Sequence, residues 1–331
     1  MVGGDVRYVI VGAGAVGGTI GGLLAQAGRD VVLVARGAHL DALRDRGLDL
    51  RRPDGGGAVL PLPAAASAGE VDWRTGDVAV LAVKGQDTVA VLDDLVVAAP
   101  PETHLVCAQN GVANEARALR RFAHVHGLCV MLPAAHLEPG VVAAFGDPAP
   151  GILDVGRYPS GTDQVDLRVA ADLRAAGFAS EARPAIMTAK HRKLLMNLAN
   201  AAVAVSGTEA LDSPMVGAAA AEGEAVFAAA GIDVATAEAD KARRDGVFRI
   251  AEVEGVPRGG GSTWQSLARG TGSVEADTLN GEVVLLGRMH GVATPVNEHL
   301  RRLVQRAARE GWDPGSRPVE DLVPPTTDPR V

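Results

Sequence analysis

Gly12-Ala13-Gly14-Ala15-Val16-Gly17 stands directly behind the apolar run Val6-Arg7-Tyr8-Val9-Ile10-Val11, and Lys193-Leu194-Leu195-Met196-Asn197 lies far downstream in a helical pattern. The first spacing is that of a strand-to-helix turn shaped for a dinucleotide. Gly12 permits the tight turn, Gly14 lets the backbone approach a pyrophosphate, and Gly17 allows close helix–strand packing. The pyrophosphate would rest on the positive end of the helix that Ala15 and Val16 begin. The second spacing puts an ammonium and an amide four residues apart on one helix face. That pair suits reduction of a ketone, which needs a proton donor for the developing alkoxide and polar groups to hold the substrate.

Lysine is scarce, occurring only as Lys84, Lys190, Lys193 and Lys241. A lysine inside a Leu-Leu-Met stretch is a better acid candidate than one on a polar helix, since desolvation lowers an ammonium's pKa toward the catalytic range. A snorkelling helix lysine is the plain alternative. The second strand ends Val31-Val32-Leu33-Val34-Ala35-Arg36, with Asp30 at its beginning. An enzyme for NAD would place a carboxylate at the strand's end to bind the ribose 2′-hydroxyl. Arg36 instead offers a bidentate grip on a 2′-phosphate, so the expected cofactor is NADPH.

The elements that must position these residues divide the chain. Val6–Val11, Val31–Ala35, Asp77–Val83, His104–Ala108 and Leu128–Leu132 read as buried strands, with a helix at Ala15–Ala27 stopped by Gly28. Alternation of this kind implies a parallel sheet with helices on both faces. Residues 141–155 read as an extension of that sheet, and Val165–Ala176 as a helix ended by Gly177. Beyond Pro184 the apolar residues recur at three- and four-residue spacing through Ile186–Val205, Met215–Ala230, Val283–Met289 and Val296–Ala308. Ser213-Pro214 and Thr294-Pro295 each read as an N-cap followed by proline in the first turn. The expected architecture is α/β: an N-terminal Rossmann-type domain over residues 1–183, an all-helical domain over 184–312, and a Pro-rich tail over 313–331, lying on the surface or disordered.

The length of 331 residues favours two domains. Hydrophobic residues make up 47% and aromatics 3%, so the cores must be built from Ala, Val and Leu. A net charge of −8 without a basic, aromatic-studded patch argues against nucleic acid as a partner. Cys107 and Cys129 sit in apolar runs and read as buried thiols rather than a disulfide. Neither a signal-like N-terminus nor an apolar run of about 18 residues is present, so a soluble, cytoplasmic protein without a membrane partner is expected. His136 and His290 lack metal-ligand spacing to another His, Asp or Glu, and no metal is expected.

Taken together, Gly12-Ala13-Gly14-Ala15-Val16-Gly17-Gly18, Val83-Lys84, Gln109-Asn110-Gly111, Lys193-Leu194-Leu195-Met196-Asn197, Glu275-Ala276-Asp277 with Asn280-Gly281, and His290 through Asn297 follow the order seen in ketopantoate reductases. The resemblance runs over roughly residues 6–309. It implies reduction of 2-dehydropantoate to pantoate with NADPH, a step toward pantothenate and coenzyme A. By that resemblance Lys193 is the general acid, Asn197 binds substrate, and Glu275 supports the site and tunes the lysine. Asn110 lies near nicotinamide and substrate, Lys84 sits by the cofactor, and Ser262 meets the substrate carboxylate, with Thr263 as the alternative register. The active site is then expected where the domains meet. The partner is a small 2-keto acid, and a homodimer is compatible with this reading. Each assignment has a plainer rival: a simple turn at Asn110-Gly111, a first-turn acid at Glu275, an N-cap at Ser262.

The chain departs from the pattern at one place. Family members carry Asn-Pro eight residues after the lysine, where Ala201-Ala202 stand here, and Asn200 comes one position earlier. On a regular helix of about 100° per residue, Asn200 shares the lysine's face near −20°, whereas position 201 lies near 80°. Asn200 is therefore a substrate-binding candidate that would point differently from the usual residue, and the missing proline removes a helix break. The run Gly259–Gly261 is expected to make the Ser262 loop flexible. These differences keep a reductase of another 2-keto acid open. A phosphate-bearing substrate would need more basic residues than His191 and Arg192 near Asn197. A non-catalytic NADP-binding regulator would need neither Lys193 nor Glu275.

Overall fold

A computed structural model describes residues 6–323. Contacts divide the chain into two units, one running through Lys190 and taking back Thr236–Arg258, the other made of His191–Ala235 and the chain from Gly259 onward. In chain order the strands are β1 (Arg7–Val11), β2 (Asp30–Val34), β3 (Leu48–Arg51), β4 (Ala58–Leu60), β5 (Ala64–Ala65), β6 (Val78–Leu81), β7 (His104–Cys107), β8 (His124–Met131), β9 (Ala134–Ala135), β10 (Val141–Ala144), β11 (Gly146–Pro148), β12 (Ile152–Arg157) and β13 (Phe248–Ile250). The helices are α1 (Ala15–Gln26), α2 (Gly37–Arg46), α3 (Thr88–Ala98), α4 (Asn114–Leu119), α5 (Gln164–Ala175), α6 (Ile186–Asn197), α7 (Asn200–Ser206), α8 (Pro214–Ala229), α9 (Ala237–Arg244), α10 (Ser262–Ala268), α11 (Asn280–His290) and α12 (Pro295–Glu310).

The expected Rossmann-type sheet is present. Seven strands lie in the order β12-β8-β7-β6-β1-β2-β5, parallel except for β12, which pairs antiparallel with β8. Alternate residues of each strand feed separate cores. Tyr8, Ile10, Leu33, Val78 and Val80 pack with Ile20, Leu23 and Leu24 of α1 and Val169 and Leu173 of α5. Val9, Val11, Val34, Ala79 and Leu81 pack on the other face with Leu92 and Leu95 of α3 and Ala118 of α4. Burial on both faces is why the strands read as continuous apolar runs. α5 starts with a reciprocal capping box, in which Asp163 accepts from the amides of Val165 and Asp166 while Asp166 accepts from that of Asp163.

The region 141–155 does not simply extend this sheet. β10 joins a separate four-stranded sheet of order β4-β3-β10-β9, where fully buried Val142 and Leu50 share the α1 core. β11 pairs antiparallel with β13, from the returning segment, and only β12 lies on the main sheet's edge. β8 also starts earlier than its apolar run, because His124 and His126 pair in register with His104 and Val106 of β7.

The second unit is helical, as expected, but three details differ. The single helix expected over Ile186–Val205 is two helices with a turn at Leu198–Ala199. Ser213 caps α8 through its hydroxyl, accepting from Met215 N–H at 3.3 Å, whereas Thr294 makes no such bond at α12. There the Glu222 carboxylate accepts the amides of Val296 and Asn297, each at 2.9 Å. A carboxylate at a helix N-terminus is favoured by the macrodipole as well as by the bonds themselves. The first part of the Pro-rich tail is packed, not loose: Gly315 and Arg317 donate backbone bonds to Ala204 and Val205, and Leu322 is buried. Its remainder, residues 324–331, lies outside the described residues. Both cysteines are buried and neither is in a disulfide. Among the described residues no helix is long and apolar enough to cross a membrane.

Candidate active site

In the first unit the glycine loop follows β1. Gly12 has φ +100°, and a Cβ there would lie 2.7 Å from the Val83 side chain and 2.8 Å from its nitrogen. The Gly12 and Ala13 amides donate to the Val34 carbonyl at 3.0 and 3.1 Å, which laces the loop to the end of β2. A Cβ on Gly17 would run into the Gly12 carbonyl oxygen, so α1 can approach β1 only with glycine there. Gly14 is the N-cap of α1 and brings no capping side chain, and the first turn holds no acid. The helix's leading amides are thus left for an anion. Above Gly14 the nearest atom to an added Cβ is His136 Cδ2 at 3.9 Å, which leaves room for one to approach. These residues fit a dinucleotide pyrophosphate.

His39, which sequence reasoning missed, braces the loop. Its Nε2 lies 2.8 Å from the Ala13 carbonyl and its Nδ1 accepts from Gly140 N–H at 2.9 Å. One neutral tautomer, protonated at Nε2, satisfies both bonds, and burial pushes its pKa below the ordinary histidine value. No local pattern marks this residue, because both partners are brought to it by the fold.

The other cofactor candidates stand at the same edge of the sheet. Arg36 follows β2 as the exposed N-cap residue of α2, and its guanidinium has no hydrogen bond or ion pair with other described residues. Asp30, at the strand's opposite end, pairs with Arg74 at 3.2 Å. Lys84 follows β6 and Asn110 follows β7, with Gly111 at φ +79° completing the turn. Gln109 ties the two strand ends, donating to the Val83 carbonyl and the Thr88 hydroxyl, each at 2.8 Å. Gly12–Gly17, Arg36, Lys84 and Asn110 therefore all lie beyond the carboxyl ends of neighbouring strands, where open α/β sheets bind ligands. Behind this edge the Lys190 ammonium, almost fully buried, contacts the Gln109 carbonyl.

In the second unit Lys193 and Asn197 lie one helical turn apart on α6, half-buried beside buried Leu194 and Leu195. The Asn197 amide nitrogen is itself buried with no acceptor among the described residues, as suits a donor for a bound ligand. α6 stops there because Leu198 is held from outside: its carbonyl accepts from Asn280 Nδ2 at 3.2 Å. The same Asn280 nitrogen donates to Asn297 Oδ1 at 3.0 Å, and Asn297 Nδ2 donates to the Ala219 carbonyl and to Glu222. Asn280 and Asn297 thus form a buried scaffold that sets the break without proline. Both residues belong to the motifs quoted from the sequence, but the sequence alone assigns them no role.

The break alters the geometry expected for a continuous helix. Asn200 opens α7, and its Oδ1 lies 3.6 Å from where a Cβ on Gly261 would be, beside the loop that leads to Ser262. Ala201 is buried with Ala202, Ala204 and Val205. Ser262 is the first residue of α10, with Gly261 rather than Ser262 as N-cap. The glycine run is not a flexible hinge: a Cβ on Gly259 or Gly260 would collide with the Trp264 indole, so glycine there allows a tight approach. Glu275 opens the 3-10 turn Glu275–Thr278 and is 5% exposed. It acts electrostatically on Arg269, a residue sequence reading missed, whose pKa burial lowers and Glu275 raises.

Among the described residues His104, His126 and Asp163 have donor atoms close enough to hold a cation. Those atoms are already engaged. His104 Nδ1 meets His126 Nε2 at 2.9 Å, His126 Nδ1 meets Asp166 Oδ1 at 2.7 Å, and Asp163 caps α5. The cluster is a hydrogen-bonded relay that fastens α5 to β7 and β8.

The family model described as ketopantoate reductase PanE/ApbA matches residues 8–160, and its C-terminal counterpart matches residues 185–308. A 2-dehydropantoate 2-reductase from Halobacterium salinarum is 30% identical over 320 residues, covering 92% of this chain and all of its own. A solved PanE/ApbA family ketopantoate reductase from Ralstonia eutropha is 28% identical, covers 92% of this chain and 99% of its own, and superposes with a TM-score of 0.76. D-mandelate dehydrogenase, solved with NADH and anilino(oxo)acetate, shares the fold at a TM-score of 0.78 and 23% identity, over 92% of this chain and 99% of its own. With both family models matched in order around the glycine loop and the lysine helix, this chain belongs to the ketopantoate reductase family.

Proposed function

We propose that this chain reduces 2-dehydropantoate to pantoate with NADPH in the cytoplasm, and that Lys193 is the general acid. The observation that carries the reading is the Lys193–Asn197 face of α6, held at its end by the Asn280–Asn297 scaffold, in a chain whose relatives are named 2-dehydropantoate 2-reductase. The loop Gly12–Gly17 with Ala15 and Val16, together with Arg36, Lys84 and Asn110, would hold the dinucleotide. Bound NADPH supplies a hydride to the C2 carbonyl carbon. Lys193 gives a proton to the carbonyl oxygen as charge builds there, and the resulting neutral amine regains a proton from water. Asn197, Asn200, Asn110 and Ser262 orient the keto acid, and Glu275 supports the site.

The Arg36 guanidinium supports NADPH over NADH, because it is exposed, without a hydrogen bond or ion pair to other described residues, and follows the end of β2, while the acid of that strand, Asp30, sits at its other end. Steady-state NADPH oxidation with ketopantoate and a panel of other 2-keto acids tests the reading. A kcat/KM for ketopantoate below that for simpler 2-keto acids would favour the second reading, a reductase of another 2-keto acid. Ala201, buried where family members carry asparagine, is the observation behind that alternative.

A further inference from the structure

We infer that Lys190 is a positioning residue for the Asn110 turn; this rests on the role proposed above for Asn110. The Lys190 side chain is 3% exposed, and its ammonium lies 2.8 Å from Glu115 Oε1 on a carboxylate that is 1% exposed. It donates to the Gln109 carbonyl at 2.9 Å and to the Leu128 carbonyl at 3.1 Å. Two carbonyl oxygens accept from this ammonium, and the buried Glu115 carboxylate lies against it as the ion-pair partner without hydrogen-bond geometry. The parallel ladder between β7 and β8 ends at the Cys107–Gly127 pair. Just beyond it, carbonyls of both segments, Gln109 after β7 and Leu128 in β8, converge on one cation. Gly127 makes room for the lysine stem, since a Cβ there would sit 3.3 Å from Lys190 Cδ.

Gln109 is covalently joined to Asn110, and its side chain is already fixed to Val83 and Thr88. The ammonium fixes its main chain as well, so the peptide leading into Asn110 is held from two sides. A buried ion pair is a poor device for stability, because desolvation offsets much of the attraction. It is well suited to holding a carbonyl in one orientation, and misplacing a substrate-orienting group by about 1 Å can lower a rate roughly a hundredfold.

Lys190→Met alone would leave the Glu115 charge buried and unpaired, which by itself destabilises the fold; the working variant is therefore Lys190→Met/Glu115→Gln, which removes both charges. The expected result is a folded protein whose kcat falls roughly 10- to 100-fold, with any rise in KM for NADPH no larger than that of Asn110→Ala, whose cofactor contact it shares. Placed on an Asn110→Ala background, the same pair of substitutions should lower kcat by less than about threefold further, because the two act through one turn. Gly127→Ala, which crowds the lysine stem without touching a charge, should give a smaller loss of the same kind. Full additivity with an impaired Asn110→Ala enzyme, or unchanged kcat in the folded double variant, overturns the inference. An Asn110→Ala enzyme with wild-type kcat would instead refute the role assigned to Asn110, and with it this proposal's premise.

Discussion

Replacing Arg36 by alanine separates the two cofactors. The guanidinium is exposed and makes no hydrogen bond or ion pair with other described residues, so its loss breaks none of these and Tm should hardly move. On the proposed NADPH reading, what is lost is a charge-assisted grip on the 2′-phosphate, a class of bond worth about 1.5–3 kcal/mol. Exposure places Arg36 at the lower end, since water and salt compete for both partners. About 1.5 kcal/mol is roughly tenfold in affinity. Initial rates followed by loss of reduced-nicotinamide absorbance should show KM for NADPH rising about tenfold and KM for NADH changing less than about twofold. Wild-type preference for NADPH should also weaken as salt is raised. An equal rise in both KM values would show that Arg36 supports the loop generally and does not read the phosphate.

Lys193→Ala should lower kcat by roughly 10²–10⁴-fold with calorimetric NADPH affinity nearly unchanged; turnover within a few-fold of wild type would remove Lys193 from the mechanism. Ala201→Asn puts an amide at a buried position of α7, and chemical denaturation should report a loss of about 1–3 kcal/mol. A gain in kcat/KM for ketopantoate without that loss would show that position 201 faces substrate. Burial holds His104 at about 4, with the charges of His126 and His124 acting in the same direction. It stays neutral in the fold but takes a proton in the unfolded chain below about pH 6.5. Its stabilisation is therefore complete above about pH 6.5 and is lost as pH falls toward about 4. Urea midpoints measured across that window should fall less steeply for His104→Gln, and parallel slopes would contradict the assignment.

The glycine loop, the strands around it and the Lys193–Asn197 face were legible in the chain because each is a local pattern. A turn that needs φ > 0 selects glycine, a strand buried on both faces becomes a continuous apolar run, and one helical turn spaces the lysine and the asparagine. Arg36 was readable for the same reason, since its place at the end of β2 follows from strand length. Such signals survive without knowledge of the fold because both halves of the pattern lie within a few residues.

Other features rest on partners distant in sequence. The Leu198–Ala199 break needs Asn280, the start of α12 needs Glu222, and the turn at Asn110 is backed by Lys190, itself held by Glu115. Asn280 stands in a recognisable Asn-Gly pair, but nothing local says which carbonyl it will meet, and the contexts of Glu222, Lys190 and Glu115 name no partner for them. His39 is equally silent until the fold sets Ala13 and Gly140 on either side of its ring. β13 is a three-residue strand whose pairing exists only because β11 is there to receive it. Hydrophobic periodicity records which face of an element is buried, whereas a buried carbonyl, amide or charge records nothing about which partner will satisfy it. That choice is made when the backbone brings the groups within hydrogen-bonding distance and water is excluded, and leaving them unpaired becomes costly.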